Sequence, residues 1–130
     1  MKKPKQYIIV DDDRTNNLIC EYAVKGYDPD ADVMTFNEPE IALSTIRNKI
    51  LKEDGCASMV LFVDVNMPTM SGWEFLKELE KLEEEVIQRF TIFILSSSIE
   101  DFKDERINFP YVTDFLSKPL SKTRLKELQL

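Results

Sequence analysis

Four short segments of this sequence carry side chains that could do chemistry together: Asp11-Asp12-Asp13, Asp64, Ser96-Ser97-Ser98 and Lys118. Clustered carboxylates repel one another, and their pKa values rise unless a cation neutralises them. The chain has no histidine, which removes histidine general bases, Ser-His-Asp triads and histidine metal ligands together. Its two cysteines, Cys20 and Cys56, lack a metal-ligand spacing and do not suggest a disulfide framework. Cys20, set among Leu18, Ile19, Tyr22 and Ala23, reads as a small buried hydrophobe. Only hard oxygen donors remain, and these suit Mg²⁺ or Mn²⁺. A metal of that kind, paired with a lysine, fits phosphoryl transfer, where both offset charge on the phosphoryl oxygens.

Taken singly, each segment has a plainer explanation. Three aspartates after a strand can be a solvated turn and helix start, and Asp13 reads as the cap or N-terminal charge of the helix that follows. A serine run is ordinarily a loop and capping element, and a lysine before proline is ordinarily a surface residue. Asp64 resists such a reading. It ends the most apolar strand of the chain, where an unpaired charge costs several kcal/mol. It therefore needs a cation or Lys118 beside it.

What could bring these segments together is an alternation of strands and helices. Tyr7-Ile8-Ile9-Val10, Met59-Val60-Leu61-Phe62-Val63 and Phe90-Thr91-Ile92-Phe93-Ile94-Leu95 are nearly continuous apolar runs, as expected of parallel strands covered on both faces. Asp32-Val33-Met34-Thr35-Phe36 and Tyr111-Val112-Thr113-Asp114-Phe115-Leu116 mix in polar residues, as edge strands do. Between them lie helical patterns. Leu18, Ile19, Tyr22 and Ala23 mark one apolar face; Ile41, Ala42, Thr45, Ile46 and Ile50 mark a second, opened by Asn37 with Glu40 after it. Ser71 and Glu74 form a capping box ahead of Trp73, Leu76, Leu79 and Leu82. A short, weakly patterned helix is expected over 99–106, and Ser121 opens a last one carrying Leu125 and Leu128. Strict alternation predicts an α/β fold: a flavodoxin-like, doubly wound (βα)5 parallel sheet in strand order 2-1-3-4-5. In that order the chemistry-bearing segments all fall at the carboxyl ends of strands, along one rim.

The motifs Val10-Asp11-Asp12, Asp64-Val65-Asn66-Met67-Pro68-Thr69-Met70-Ser71-Gly72, Leu95-Ser96-Ser97 and Ser117-Lys118-Pro119, in that order on those strand ends, resemble a response-regulator receiver domain of two-component signalling. The resemblance runs from Tyr7 to the last helix. It implies that Asp64 is the acceptor, taking a phosphoryl group from a phosphohistidine on a partner protein. It implies Mg²⁺ held by the carboxylates of Asp12 and Asp64 and the backbone carbonyl of Asn66, with Asp11 acting mostly through water. Lys118 would pair with the acceptor and then with the phosphoryl group, and the Lys118-Pro119 peptide would be cis. Ser96 would turn its hydroxyl to the new phosphoryl oxygen, and Phe115 would be the aromatic that moves inward with it. The implied partners are a sensor histidine kinase or phosphotransfer protein and an unidentified downstream protein. Because the chain has no histidine, that donor must act in trans.

The sequence departs from the family pattern in places. Asn108-Phe109-Pro110-Tyr111 stands where Gly-Ala often precedes the fifth strand, so a short fourth helix with an irregular connection is expected. Phe115 lacks the hydroxyl of the tyrosine common at that position. The last helix stops at Leu130, so residues 1–130 read as one receiver domain with no output domain, a stand-alone protein or phosphorelay intermediate.

Composition narrows the alternatives. The 130 residues are 43% hydrophobic and 32% charged, an ordinary globular balance. Net charge is −7 with no large basic cluster, which argues against a nucleic-acid surface. No apolar run approaches the ~18 residues of a membrane span. The basic residues at 1–5 are not followed by a signal-peptide core, so a cytoplasmic domain is expected. Two rival readings stand beside the receiver. A haloacid-dehalogenase-type phosphatase would need an aspartate two positions after the nucleophile, where this chain has Asn66. A non-phosphorylated, receiver-like binding scaffold would have no use for the full acidic and basic set. On the receiver reading the chain is not an enzyme beyond slow loss of its own phosphoryl group.

Overall fold

The structure, a computed structural model, describes residues 6–50, 58–82, 87–97 and 108–130. Five strands, β1 (Gln6–Val10), β2 (Asp32–Phe36), β3 (Met59–Asp64), β4 (Phe90–Ser96) and β5 (Val112–Ser117), form one sheet in the order β2-β1-β3-β4-β5. Every neighbouring pair is parallel. Burial follows the expected split between central and edge strands. β3 is buried at every position, whereas β2 is exposed at Asp32 and Thr35. In β5 the register against β4 slips by one residue, pairing Ile92 with Val112 and Phe93 with Asp114. That slip sets Phe115 opposite Ile94 and Ser117 opposite Ser96.

Helices α1 (Arg14–Tyr27), α2 (Pro39–Thr45), α3 (Gly72–Leu79) and α4 (Lys122–Leu128) connect or follow the strands. A π-helical turn, Ile46–Ile50, continues α2. Alternate strand residues feed two cores, as the two-residue strand period requires. Ile8, Val10, Leu61, Val63, Ile92 and Ile94 pack with Ala42, Leu43, Phe75 and Leu76 of α2 and α3. Tyr7, Ile9, Val60, Phe62, Phe93 and Leu95 pack with Cys20, Val24 and Leu125 of α1 and α4. On that second side Tyr7, Phe62 and Phe93 stack in a row across three strands, with centroids 6.5 and 5.3 Å apart.

Caps account for most helix starts. Asp13 caps α1 by accepting from the backbone N–H groups of Thr15 and Asn16, at 2.9 and 3.3 Å. Ser71 and Glu74 close the expected capping box at α3, and Ser121 accepts from the Arg124 N–H at α4. α2 corrects the expectation that Asn37 opens it. Its cap residue is Glu38, which makes no side-chain cap bond, and Pro39 supplies the start. Proline is suited there because its missing N–H and fixed φ cost nothing in a first turn.

Two apolar faces also differ from expectation. On α1, Leu18 is 58% exposed and Tyr22 82%, and Ile19 is exposed too. The inward side is instead Asn16, Asn17, Cys20, Ala23 and Val24. On α2 Ile41 points outward while Leu43 joins the core. α1 is turned by its polar residues, for a reason that lies at the rim. The helix expected over 99–106 lies outside the described residues, as do residues 1–5, Cys56 and Ser98.

Candidate functional site: an acidic rim with one shared ammonium

β1 and β3 are neighbours, so Asp11 and Asp64 leave the sheet side by side. The backbone extends the sheet into the rim. Asp11 N–H donates to the Phe36 carbonyl at 3.0 Å, and Val65 N–H to the Leu95 carbonyl at 3.1 Å. Lys118 N–H donates to the Ser96 carbonyl at 2.9 Å, carrying the β4–β5 ladder one residue past β5. The Lys118-Pro119 peptide that follows is cis.

The Lys118 ammonium lies 2.9 Å from Asp64 Oδ1 and 2.9 Å from Asp11 Oδ2. Asp11 is wholly buried, Asp64 nearly so, and Asp12 is exposed. One carboxylate oxygen from each of the three aspartates lies within 4.8 Å of the others. Three carboxylates against one ammonium leave an excess of two negative charges. Burial pushes Asp64 up to about 6; the Lys118 hydrogen bond opposes this, while the charges of Asp11 and Asp12 add to it. Burial works to lower Lys118, but its hydrogen bonds to Asp64 and Asp11 and their charges win, holding the ammonium above the usual lysine value. The site is thus an anionic cradle short of a divalent positive charge. All-oxygen donors and a deficit of two charges fit Mg²⁺.

Asn66 lies in the loop after β3 and is exposed. That loop is pinned by Gly72 N–H donating to the Val65 carbonyl at 2.9 Å. Gly72 has to be glycine for this approach, because a Cβ there would stand 2.6 Å from the Asp64 carbonyl oxygen. Ser96 is buried at the end of β4, beside Ser117 in the register. Phe115 is buried on the α3 side, its ring 6.2 Å from that of Trp73. Trp73 in turn stacks on Phe109 at 5.2 Å, and Phe109 meets Tyr111 edge-on at 6.0 Å. The Asn108-Phe109-Pro110-Tyr111 segment therefore supplies a buried aromatic that wedges α3 against β5. Tyr111 fastens the wedge by donating its hydroxyl to Glu80 at 2.6 Å.

Two site residues escaped the motif reading, and a third, Gly72, ends a motif that gave it no role of its own. Asn16 donates its side-chain amide to Asp11 Oδ2. Asn17 donates to the Asp11 carbonyl at 2.8 Å and to the Phe36 carbonyl at 3.3 Å. The signal for the first two was present: consecutive asparagines in an early helical turn, where asparagine is a poor helix former, directly after a strand-end aspartate.

This fold and rim are those expected of a receiver-type signalling domain, and the sequence as a whole agrees. The response regulator receiver domain family matches residues 7–129, and the chain belongs to it. It is similar in structure to a response regulator receiver protein from Dyadobacter fermentans, at 28% identity and a TM-score of 0.82, covering 95% of this chain and 94% of that one. It is similar also to the chemotaxis response regulator CheY4 of Vibrio cholerae, at 25% identity and a TM-score of 0.74, with 98% of each chain covered. A two-component response regulator from Cytophaga hutchinsonii shares the fold at 18% identity, with a TM-score of 0.83. No curated protein sequence matches. Among the described residues no helix is long and apolar enough to cross a membrane.

Proposed function

We propose that this chain accepts a phosphoryl group on Asp64 from a phosphohistidine of a partner protein, in a reaction that needs Mg²⁺, and thereby changes a protein-binding surface. The observation that carries the reading is the Lys118 ammonium bridging two buried carboxylates, with a third beside them and two negative charges left over. Asp11, Asp12 and Asp64, with the Asn66 carbonyl, would hold the ion, which when bound supplies charge neutralisation for the phosphoryl oxygens. A carboxylate oxygen of Asp64 forms the new bond to phosphorus. The bond from phosphorus to the donor imidazole breaks, and its electron pair returns to the imidazole nitrogen. Asp64 attacks in its ionised form, which its value of about 6 leaves available at neutral pH. Lys118 then stabilises the negative charge gathered on the transferred group.

The donor imidazole lies outside residues 1–130, which contain no histidine. α1 rises directly from the rim and turns Leu18, Ile19 and Tyr22 to solvent, giving the donor an apolar face on which to seat beside Asp64. After transfer, the Ser96 hydroxyl takes a phosphoryl oxygen, and the shift passes through Phe115 to Trp73 and the Phe109 wedge. Residues 1–130 act as one receiver domain in the cytoplasm, with no role for nucleic acid or membrane.

A direct test is incubation with Mg²⁺ and a small phosphoryl donor such as acetyl phosphate. A mass gain of one phosphoryl group, labile to hydroxylamine and absent from Asp64→Asn, is expected. A stable adduct that survives in Asp64→Asn would put the acceptor elsewhere.

A further inference from the structure

We infer that Asn16 is a positioning residue for the cation site: its side-chain amide fixes the Asp11 carboxylate in orientation without cancelling its charge. This rests on the proposed Mg²⁺-dependent function and assigns a role to a residue outside the expected ligand set. Asp11 Oδ1 accepts from the backbone N–H of Asp13 at 2.9 Å. Its Oδ2 accepts from the Lys118 ammonium at 2.9 Å and from Asn16 Nδ2. Asn16 is itself buried, and its amide also meets the weak acceptor Cys20 Sγ at 3.7 Å. The amide is thus committed to Asp11.

Neutrality is what makes this donor useful. A buried carboxylate needs donors, and a lysine or arginine at this position would supply them while removing one of the two excess negative charges that draw a divalent ion. An amide satisfies the oxygen and leaves the charge. It also governs how Lys118 is divided. With Asn16 on Oδ2, Asp11 does not depend on the ammonium alone, so Lys118 can stand equidistant, at 2.9 Å, from Asp11 and Asp64. Remove the amide, and the ammonium is drawn toward Asp11 and away from the acceptor. Asn17 secures the same residue from behind by binding the Asp11 carbonyl, so two consecutive side chains grip both ends of Asp11.

Partners that orient metal ligands from outside the ligand set typically change metal affinity by about 10–100-fold when removed. The test is calorimetric titration of Mg²⁺ into the full chain as wild type, Asn16→Leu and Asn16→Gln, with urea unfolding of each metal-free protein. Asn16→Leu keeps the volume and deletes the donor; Asn16→Gln keeps an amide. Asn16→Leu is expected to bind Mg²⁺ roughly tenfold more weakly, and Asn16→Gln to recover most of that loss. Leucine binding as tightly as wild type, or glutamine failing as badly as leucine, overturns the inference. Should Asn16→Leu not fold, the wild-type side-chain amide resonances of Asn16 decide: they must shift along the Mg²⁺ titration, and unmoved resonances overturn it. A wild type that binds no Mg²⁺ takes down the proposed function itself, so the two failures are distinct.

Discussion

Two polar groups at opposite ends of β1 are buried equally completely, and they are treated in opposite ways. Asp11, just beyond the strand's carboxyl end, takes donors from Asp13, Asn16 and Lys118 on its carboxylate and from Asn17 on its carbonyl. Tyr7, near the amino end, has a phenol oxygen with no hydrogen-bond partner among the described residues. Burial pushes that phenol up to about 12, and nearby Asp28 adds to the shift. An unsatisfied buried hydroxyl is a stability cost, tolerated here because the ring fills the core and stacks on Phe62. At the rim, by contrast, polar groups are organised around one another at the expense of an apolar α1 face. The sheet is held by packing at one end and by charge at the other.

Substitutions at the two ends should separate these regimes. The largest effect is expected for Lys118→Ala, which strands two buried carboxylates. Urea unfolding without metal should show a loss of about 3 kcal/mol, partly restored by Mg²⁺. An unchanged midpoint would mean that Asp11 and Asp64 are solvated rather than buried. Gly72→Ala should follow at roughly 2 kcal/mol, since its Cβ collides with the Asp64 backbone. The same denaturation series checks it.

Asp64→Asn should act in the opposite direction and depend on pH. The folded-state value of Asp64 is raised from 3.8 to about 6, so its contribution to stability is full below the ordinary value and is lost as pH rises through 6. Without metal, Asp64→Asn should therefore be the more stable protein at pH 7.5, by on the order of 1–2 kcal/mol. The gap should close near pH 3.5; a gap constant across that range would contradict the charge account of the rim. At the other end of β1, Tyr7→Phe removes the lone hydroxyl and should change stability by under about 0.5 kcal/mol, or raise it. A loss of several times that would reveal a partner for the phenol.

The strand pattern was legible because it depends only on burial. Continuous apolar runs gave β1, β3 and β4 to within a residue, and the mixed runs gave both edges. The acidic and basic strand ends were legible for the same reason: a charge at the end of a buried strand has few explanations. α1 was misread because periodicity assigns apolar residues inward. Asn16 and Asn17 face inward because their partner is a buried carboxylate and its backbone, and hydropathy carries no term for that. The α2 start was misread at Asn37 although Pro39 carried the better signal. The Trp73–Phe109 stack joins residues distant in sequence, and no local pattern encodes it.

The central claim is that Asp64, the other rim carboxylates and Lys118 form a site for Mg²⁺ and a phosphoryl group. Beryllofluoride imitates an aspartyl phosphate, so its effect on thermal unfolding in the presence of Mg²⁺ tests that claim most directly. Beryllofluoride should add protection to the wild type, beyond that of Mg²⁺ alone, only when Mg²⁺ is present, and it should add none to Asp64→Asn. Equal added protection of the two proteins, or added protection without Mg²⁺, would contradict it.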